Sequence, residues 1–347
     1  MALYCTKMEY LVISQVILLI GFSFLLIKAT DLLIRSLNRL SRTLKIGTFA
    51  ITSFLLAFAT SLPELFVCVT SALEGRPKLA LGVILGSNIA NLSLVIGGAA
   101  LFAGSVRVVG QFLKYDIFYT FLAGSLPLIL LLDNRLSRID GLILLLVYGM
   151  YNYTVLRGKV SHKELNEEGF ITRILHRLAT RGTEKNLAWV FLGAALLVFS
   201  SDMIVRLASG VAASFNISII LIGLFLVAIG TSLPELSFEI KAIKNKKVGM
   251  VFGNLLGSVV ANSTLIIGIT VLVSPIKLDE GLKVYLLATV AFLVIFNLFW
   301  FFVRTKKRLD RWEGAVLLVI YILFALIEFW RVGFSSDNSV FFMEQVK

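Results

Sequence analysis

The chain is predicted to be an all-α polytopic membrane protein with ten transmembrane helices in two inverted five-helix repeats. Composition, run length and an internal repeat all point there. Of 347 residues, 58% are hydrophobic and only 16% charged, with 27 Phe and a mean hydropathy of +0.91, more apolar surface than a water-soluble domain buries. The apolar residues fall in runs of about 20, the length that crosses a bilayer core as a helix. Finally, Thr60-Ser61-Leu62-Pro63-Glu64-Leu65 recurs letter for letter as Thr231-Ser232-Leu233-Pro234-Glu235-Leu236.

The runs place helices near residues 9–34, 46–73, 79–102, 112–132, 138–156, 187–213, 217–241, 248–273, 282–303 and 313–332. The first run is too long for a signal peptide and leads into Arg35, Arg39 and Arg42, so it is expected to remain as the first span. Most of the 33 Lys and Arg lie in the loops after the first, third, fifth, seventh and ninth helices. Basic loops stay inside, which makes this a multi-pass protein of the cell membrane with both termini extracellular. The same dispersal argues against a nucleic-acid surface despite the net charge of +12. Cys5 and Cys68 are too few for a disulfide framework. The stretch from Arg157 to Lys185 is the one sizeable polar segment. It divides the chain into a first half (1–157), a cytoplasmic connector (158–185) and a second half (186–347). The connector reads as a link, part of it an amphipathic surface helix, or as a regulatory segment.

The repeat extends well beyond the hexapeptide. At a constant offset, Asp31 matches Asp202, Arg35 matches Arg206, Ala57 matches Ala228, Gly82 matches Gly253, Gly86-Ser87 matches Gly257-Ser258, Ala90-Asn91 matches Ala261-Asn262, and Gly97 matches Gly268. Because five helices fill one period, the second copy enters the membrane upside down. Halves of this kind place a substrate site near the midplane, where interrupted helices meet.

Each hexapeptide puts a carboxylate where it costs roughly 2.5–3.5 kcal/mol at the bilayer centre, which makes an intramembrane Glu a functional candidate. Pro63 and Pro234 lack an N–H, so carbonyls near Ala57 to Ala59 and Ala228 to Gly230 are expected to lose helix partners. Thr60, Ser61, Glu64 and their matches Thr231, Ser232, Glu235 add hydroxyl and carboxylate oxygens on the same turn. Ser87 and Asn91 are spaced i, i+4 on one helix face, as are Ser258 and Asn262. Gly82, Gly86, Gly253 and Gly257 are expected to let these helices approach the broken ones closely. Oxygen donors suit Ca²⁺ and other hard cations, and no His lies in a core segment, which disfavours zinc, copper and iron. For an isolated Gly-Ser-x-x-Ala-Asn the reading is interhelical glue; its pairing with the hexapeptide in both halves makes it part of a cation site.

These four segments resemble the two alpha repeats of the cation/calcium antiporter superfamily, most closely its prokaryotic sodium/calcium exchanger branch. The resemblance implies four neighbouring cation positions, one for Ca²⁺ and the others for Na⁺, held by the second, third, seventh and eighth helices. It implies Glu64 and Glu235 as carboxylate ligands shared by both ions. Thr60, Ser61, Thr231, Ser232, Ser87 and Ser258 follow as oxygen ligands, Asn91 and Asn262 as the central pair, and the carbonyls of Ala57 and Ala228 as sodium ligands. Many relatives have Asp where Asn262 stands, and members that co-transport K⁺ use that Asp, so Na⁺ is the expected coupling ion. Ca²⁺ and Na⁺ are then transported substrates, no cofactor is implied, and the bilayer is the only other partner, with the oligomeric state left open. An H⁺- or K⁺-coupled divalent-cation antiporter and a cation channel are the alternatives; a channel filter also uses carbonyls and carboxylates. An enzyme is not expected, because the spans hold no Ser/His, Asp/Asp or His-metal constellation.

Two further features stand out. Glu239 has no match, since Cys68 occupies its place; it reads as a solvated or Lys-paired end residue near Lys241 and Lys244, or as an accessory carboxylate in the inward vestibule. Asp31 with Arg35, and Asp202 with Arg206, read as i, i+4 ion pairs at helix ends.

Overall fold

The computed structural model describes residues 2–44, 60–107, 112–159, 183–215, 217–244, 248–278 and 283–344. Of the sequence expectations, Ala57, the first part of the second helix and nearly all of the connector lie outside those residues.

The first half contains α1 (Ala2–Leu44), α2 (Leu62–Leu73), α3 (Pro77–Ala90), a π-helical stretch Asn91–Val95, and α4 (Ile96–Ala103). After the short strand β1 (Val106–Arg107) come α5 (Phe112–Leu130), strand β2 (Arg135–Leu136) and α6 (Arg138–Lys159). The second half begins with α7 (Thr183–Ser214) and α8 (Ile219–Leu221), then a π stretch Ile222–Val227 that leads into α9 (Ala228–Lys244). It continues with α10 (Val248–Val260), a π stretch Ala261–Ile266, α11 (Ile267–Val273) and strand β3 (Ile276–Lys277). The last elements are α12 (Lys283–Lys306), strand β4 (Arg308–Leu309) and α13 (Arg311–Glu344). Among the described residues, seven stretches are long and apolar enough to cross a membrane, and Leu62–Leu73 and Ile117–Asp133 are shorter apolar helices.

Local chemistry explains the breaks. Pro63 lies in the first turn of α2, where its missing N–H removes no helix bond. Gly75 takes φ +71° after α2, a left-handed conformation that costs glycine little, and Pro77 opens α3. Where each Gly-Ser-x-x-Ala-Asn motif ends, the helix widens to π for about one turn, which re-aims the side chains that follow.

Burial ranks the helices from centre to rim. The span Pro77–Phe102 is 94% buried and Val251–Val273 72%, whereas the spans in α1, α7 and α13 are each 33% buried. The motif-bearing helices therefore form the interior. Their outer neighbours turn Ile17, Phe24, Phe191 and Trp330 outward, the apolar exterior that a lipid-facing surface requires. One side of the core is a stack of Phe292, Phe296 and Phe299 from α12, with Phe121 against Phe296 and Phe252 against Phe299.

Helices close on one another at small residues. A Cβ built at Gly82 would lie 2.1 Å from the Ile220 carbonyl oxygen, and one at Gly86 2.1 Å from that of Leu224. So α3 lies backbone to backbone on α8 and the π stretch after it, a contact that only glycine permits. Gly97 meets Gly314, and Gly141 meets Gly268, in the same way. At Gly253 a Cβ has no atom of the described residues within 4 Å. The residue that repeat symmetry would bring against it, 49, lies outside the described residues.

The halves are stitched together at two strand pairs. β1 pairs antiparallel with β4, and β2 with β3. The i, i+4 ion pairs expected at helix ends form instead within helices, one inside α1 and one inside α7. Asp31 and Arg35 approach to 3.7 Å, while Arg206 bonds Asp202 at 3.0 Å and Glu74, just past α2, also at 3.0 Å.

Candidate functional site

Both hexapeptides fold into the interior. Thr60, Ser61, Glu64, Thr231, Ser232 and Glu235 are all buried. In the first half the carbonyls of residues 57–59 lie outside the described residues; Ser61, just ahead of α2, has φ −86°, ψ 5°, and its hydroxyl makes no cap bond. In the second half the expectation needs correcting. α9 runs unbroken from Ala228 through Pro234 to Lys244, and the departure from α geometry lies upstream at Ile222–Val227. The Ala228 carbonyl is not left free either: it accepts from the Thr231 hydroxyl at 3.2 Å.

Around the motifs, buried side-chain contacts tie the halves together at three places among the described residues. Ser87 on α3 lies 3.4 Å from Glu64 Oε1 and 3.4 Å from Thr231 Oγ1, so one serine touches both hexapeptides. Thr60 donates to Asn254 Oδ1 at 2.9 Å and lies 3.5 Å from Ser258 Oγ on α10. Asn88 Nδ2 donates to Ser263 at 2.7 Å, and its Oδ1 accepts from Asn262 Nδ2 at 3.2 Å. Of the residues expected from sequence, these contacts join Glu64, Ser87, Thr231, Thr60, Ser258 and Asn262. Ser61, Ser232 and Asn91 are buried without side-chain partners, and Glu235 Oε2 and Glu64 Oε2 lack one as well.

Three of the buried residues that make these contacts lie outside the set expected from sequence: Asn88, Asn254 and Ser263. At the repeat offset they match Val259, Val83 and Leu92, so comparison of the halves hides them. The available signal is a helical one, since Asn254, Ser258 and Asn262 recur every four residues on one face of α10 and its π extension.

Glu239 also requires correction. It is 0% exposed, with neither carboxylate oxygen hydrogen-bonded, and so is not a solvated helix end. Its position lies on the buried stripe of α9 that carries Ala228, Thr231, Ser232 and Glu235.

Buried polar groups are ordinarily satisfied, and a string of unsatisfied ones within a single interior marks a place built for something else. The donors here are carboxylate, hydroxyl and amide oxygens. Among the described residues no three His, Cys, Asp or Glu side chains group as a metal cluster. Oxygen-only ligation is the chemistry of Ca²⁺ and Na⁺. A multi-pass helical protein with such a centre at the crossing of its innermost helices belongs to the class of membrane cation transporters.

Known proteins narrow the class to a family. The sodium/calcium exchanger protein family matches residues 14–157 and 185–330, and the chain belongs to it. It is 31% identical over 320 residues to the putative antiporter CaxA of Alkalimonas amylolytica, covering 90% of this chain and 97% of that protein. Over 350 residues it is 26% identical to the sodium/calcium exchanger MaX1 of Methanosarcina acetivorans, covering 92% and 99%. Among solved structures, the sodium-calcium exchanger NCX_Mj soaked with Na⁺ and Sr²⁺ superposes with a TM-score of 0.59 at 25% identity, covering 89% of this chain and 98% of that one. The chain is therefore a cation/Ca²⁺ antiporter of this family, whose transported ions are Na⁺ and Ca²⁺.

Proposed function

We propose that this chain exchanges Ca²⁺ for Na⁺ by alternating access, with Glu64 and Glu235 serving both ions in turn. The observation that carries this reading is the Ser87 bridge. Two oxygens bound to one ion at about 2.4 Å and at right angles stand about 3.4 Å apart. Ser87, Glu64 and Thr231 have that spacing, at 3.4 Å and 3.4 Å, which is long for an O–H···O hydrogen bond. They are separated as co-ligands of a cation are.

Thr60, Ser61, Ser232 and Ser258 supply further hydroxyls in this reading, Asn91 and Asn262 the amide oxygens, and the carbonyls of Ala57 and Ala228 the sodium positions. Two carboxylates neutralise one Ca²⁺, so Ca²⁺ and a set of Na⁺ ions compete for the same charge. Asn262 leaves no third carboxylate at the centre, which favours Na⁺ coupling without K⁺.

The architecture behind alternating access is ten helices in two inverted halves, 1–157 and 186–347, with both termini outside. The strand pairs support it. A two-fold operation that exchanges the halves turns the β1–β4 pair into the β3–β2 pair, and both pairs are present. Rocking of one part against another about the site is the motion such halves allow.

Equilibrium binding tests the reading. ⁴⁵Ca²⁺ bound to the purified protein is expected to be displaced by Na⁺ but not by equal K⁺, and Glu64→Gln or Glu235→Gln is expected to remove it. Retention of Ca²⁺ by both variants would refute the site assignment.

A further inference from the structure

We propose that Glu239 is an additional Na⁺ ligand, holding a Na⁺ one helical turn from Glu235 toward the basic loop that follows α9. The proposal rests on the reading of Glu64 and Glu235 as the shared centre and extends it.

Residues i and i+4 of a helix lie on one face about 5–6 Å apart at Cβ, so Glu239 follows Glu235 along the stripe of α9 that carries Thr231 and Ser232. That stripe is buried from Ala228 to Glu239, and Ala242 and Ile243 continue it. Beyond it the sequence runs through Lys244, Lys246 and Lys247 to the next helix.

Among the described residues the side chain has no partner. Glu239 is 0% exposed, and both of its oxygens are without a hydrogen bond. In the first half, the same place holds Cys68, which is equally buried but neutral and donates to the Ala80 carbonyl at 3.9 Å. A thiol there is satisfied by one weak bond. A carboxylate is an acceptor only when ionised and cannot use a neighbouring carbonyl. Burying it unpaired is among the costliest substitutions a membrane interior admits, whereas a hard cation satisfies both oxygens at once.

Charge balance gives the same answer. Two carboxylates match one Ca²⁺ or two Na⁺. A third carboxylate one turn away neutralises one further monovalent ion without adding charge to the centre that holds Ca²⁺. It lies on the carboxyl-terminal side of Glu235, outside the hexapeptide that both halves share, so only the second half carries it.

The test is equilibrium binding of ²²Na⁺ and ⁴⁵Ca²⁺ to the purified full chain, comparing wild type, Glu239→Gln, Glu239→Asp and Glu239→Asn, with thermal melting as the folding control. Loss of a ligating charge is expected to raise half-saturating Na⁺ about tenfold and to lower the Na⁺ capacity by one in the Gln and Asn variants. Asp, equal in size to Asn but charged, keeps the capacity, and Ca²⁺ binding is retained in all of them. Unchanged Na⁺ capacity and half-saturation in Glu239→Gln overturn the proposal. So does loss of Ca²⁺ binding in folded Glu239→Gln, because Glu239 then belongs to the Ca²⁺ centre itself. Should Glu235→Gln keep Ca²⁺, the shared-centre reading fails instead, an outcome read in a different variant.

Discussion

Residue by residue, the interior is organised by oxygens that lack partners. Glu64 and Glu235 are the strongest of these, since each carries a full charge when ionised, in a region where charge is felt many times more than in water. Replacing either with Gln keeps shape and, in the proposed site, removes half the anionic charge offered to a divalent ion. We expect Ca²⁺ transport to fall at least about a hundredfold, roughly 2.7 kcal/mol, while expression and melting stay near wild type. Near-normal exchange in both variants contradicts the assignment. Ser87→Ala removes one neutral oxygen and is expected to cost less, about tenfold in Ca²⁺ affinity, measured by the same uptake. Asn262→Asp adds a carboxylate at the centre and is expected to make exchange depend on K⁺, which an uptake series with and without K⁺ reads directly. The residues of the two hexapeptides were legible in sequence because a carboxylate buried in a membrane is too costly to be repeated without a use. Asn88, Asn254 and Ser263 were not, because each matches an apolar residue in the other half and repeat comparison discards such positions.

Among the helices, most positions followed from apolar run length, and nearly all the described residues of each expected helix are helical. What run length cannot reveal is a change of helical pitch. The π stretches at Asn91–Val95, Ile222–Val227 and Ala261–Ile266 have the composition of ordinary helix, and a proline is a louder signal than a one-residue bulge. That is why sequence places the second interruption at Pro234, whereas it is found upstream. Glycine was the more reliable guide on α3. Gly86→Ala forces a methyl against the Leu224 carbonyl oxygen, 2.1 Å away, and Ala228 Cβ, 2.7 Å away. Overpacking of this kind costs about 1–3 kcal/mol, to be seen as a lowered melting temperature in detergent and reduced Ca²⁺ uptake. Gly21→Ala is the control: it has open space and is expected to be neutral or slightly stabilising. Equal melting of the two variants would show that α3 does not need its close approach.

For the molecule as a unit, the property at stake is coupling. A site shared by two ions transports one only against the other, provided the empty protein does not reorient, and the proposed inverted halves with a central site would supply that device. The constant offset between motifs made the two halves legible. The strand exchange between them was not, because two-residue strands leave no periodic trace. The ion cluster of Arg206 with Asp202 and Glu74 was half legible: the i, i+4 pair is in the sequence, but Glu74 arrives from the end of α2 only in the folded chain. Coupling is read most directly by ⁴⁵Ca²⁺ uptake into proteoliposomes loaded with Na⁺, K⁺, Li⁺ or choline at matched ionic strength and pH. Shared carboxylates predict uptake with internal Na⁺ and little above background with the others, abolished when the Na⁺ gradient is collapsed. Uptake of equal rate whatever cation is inside, or with no gradient at all, contradicts exchange and identifies a channel.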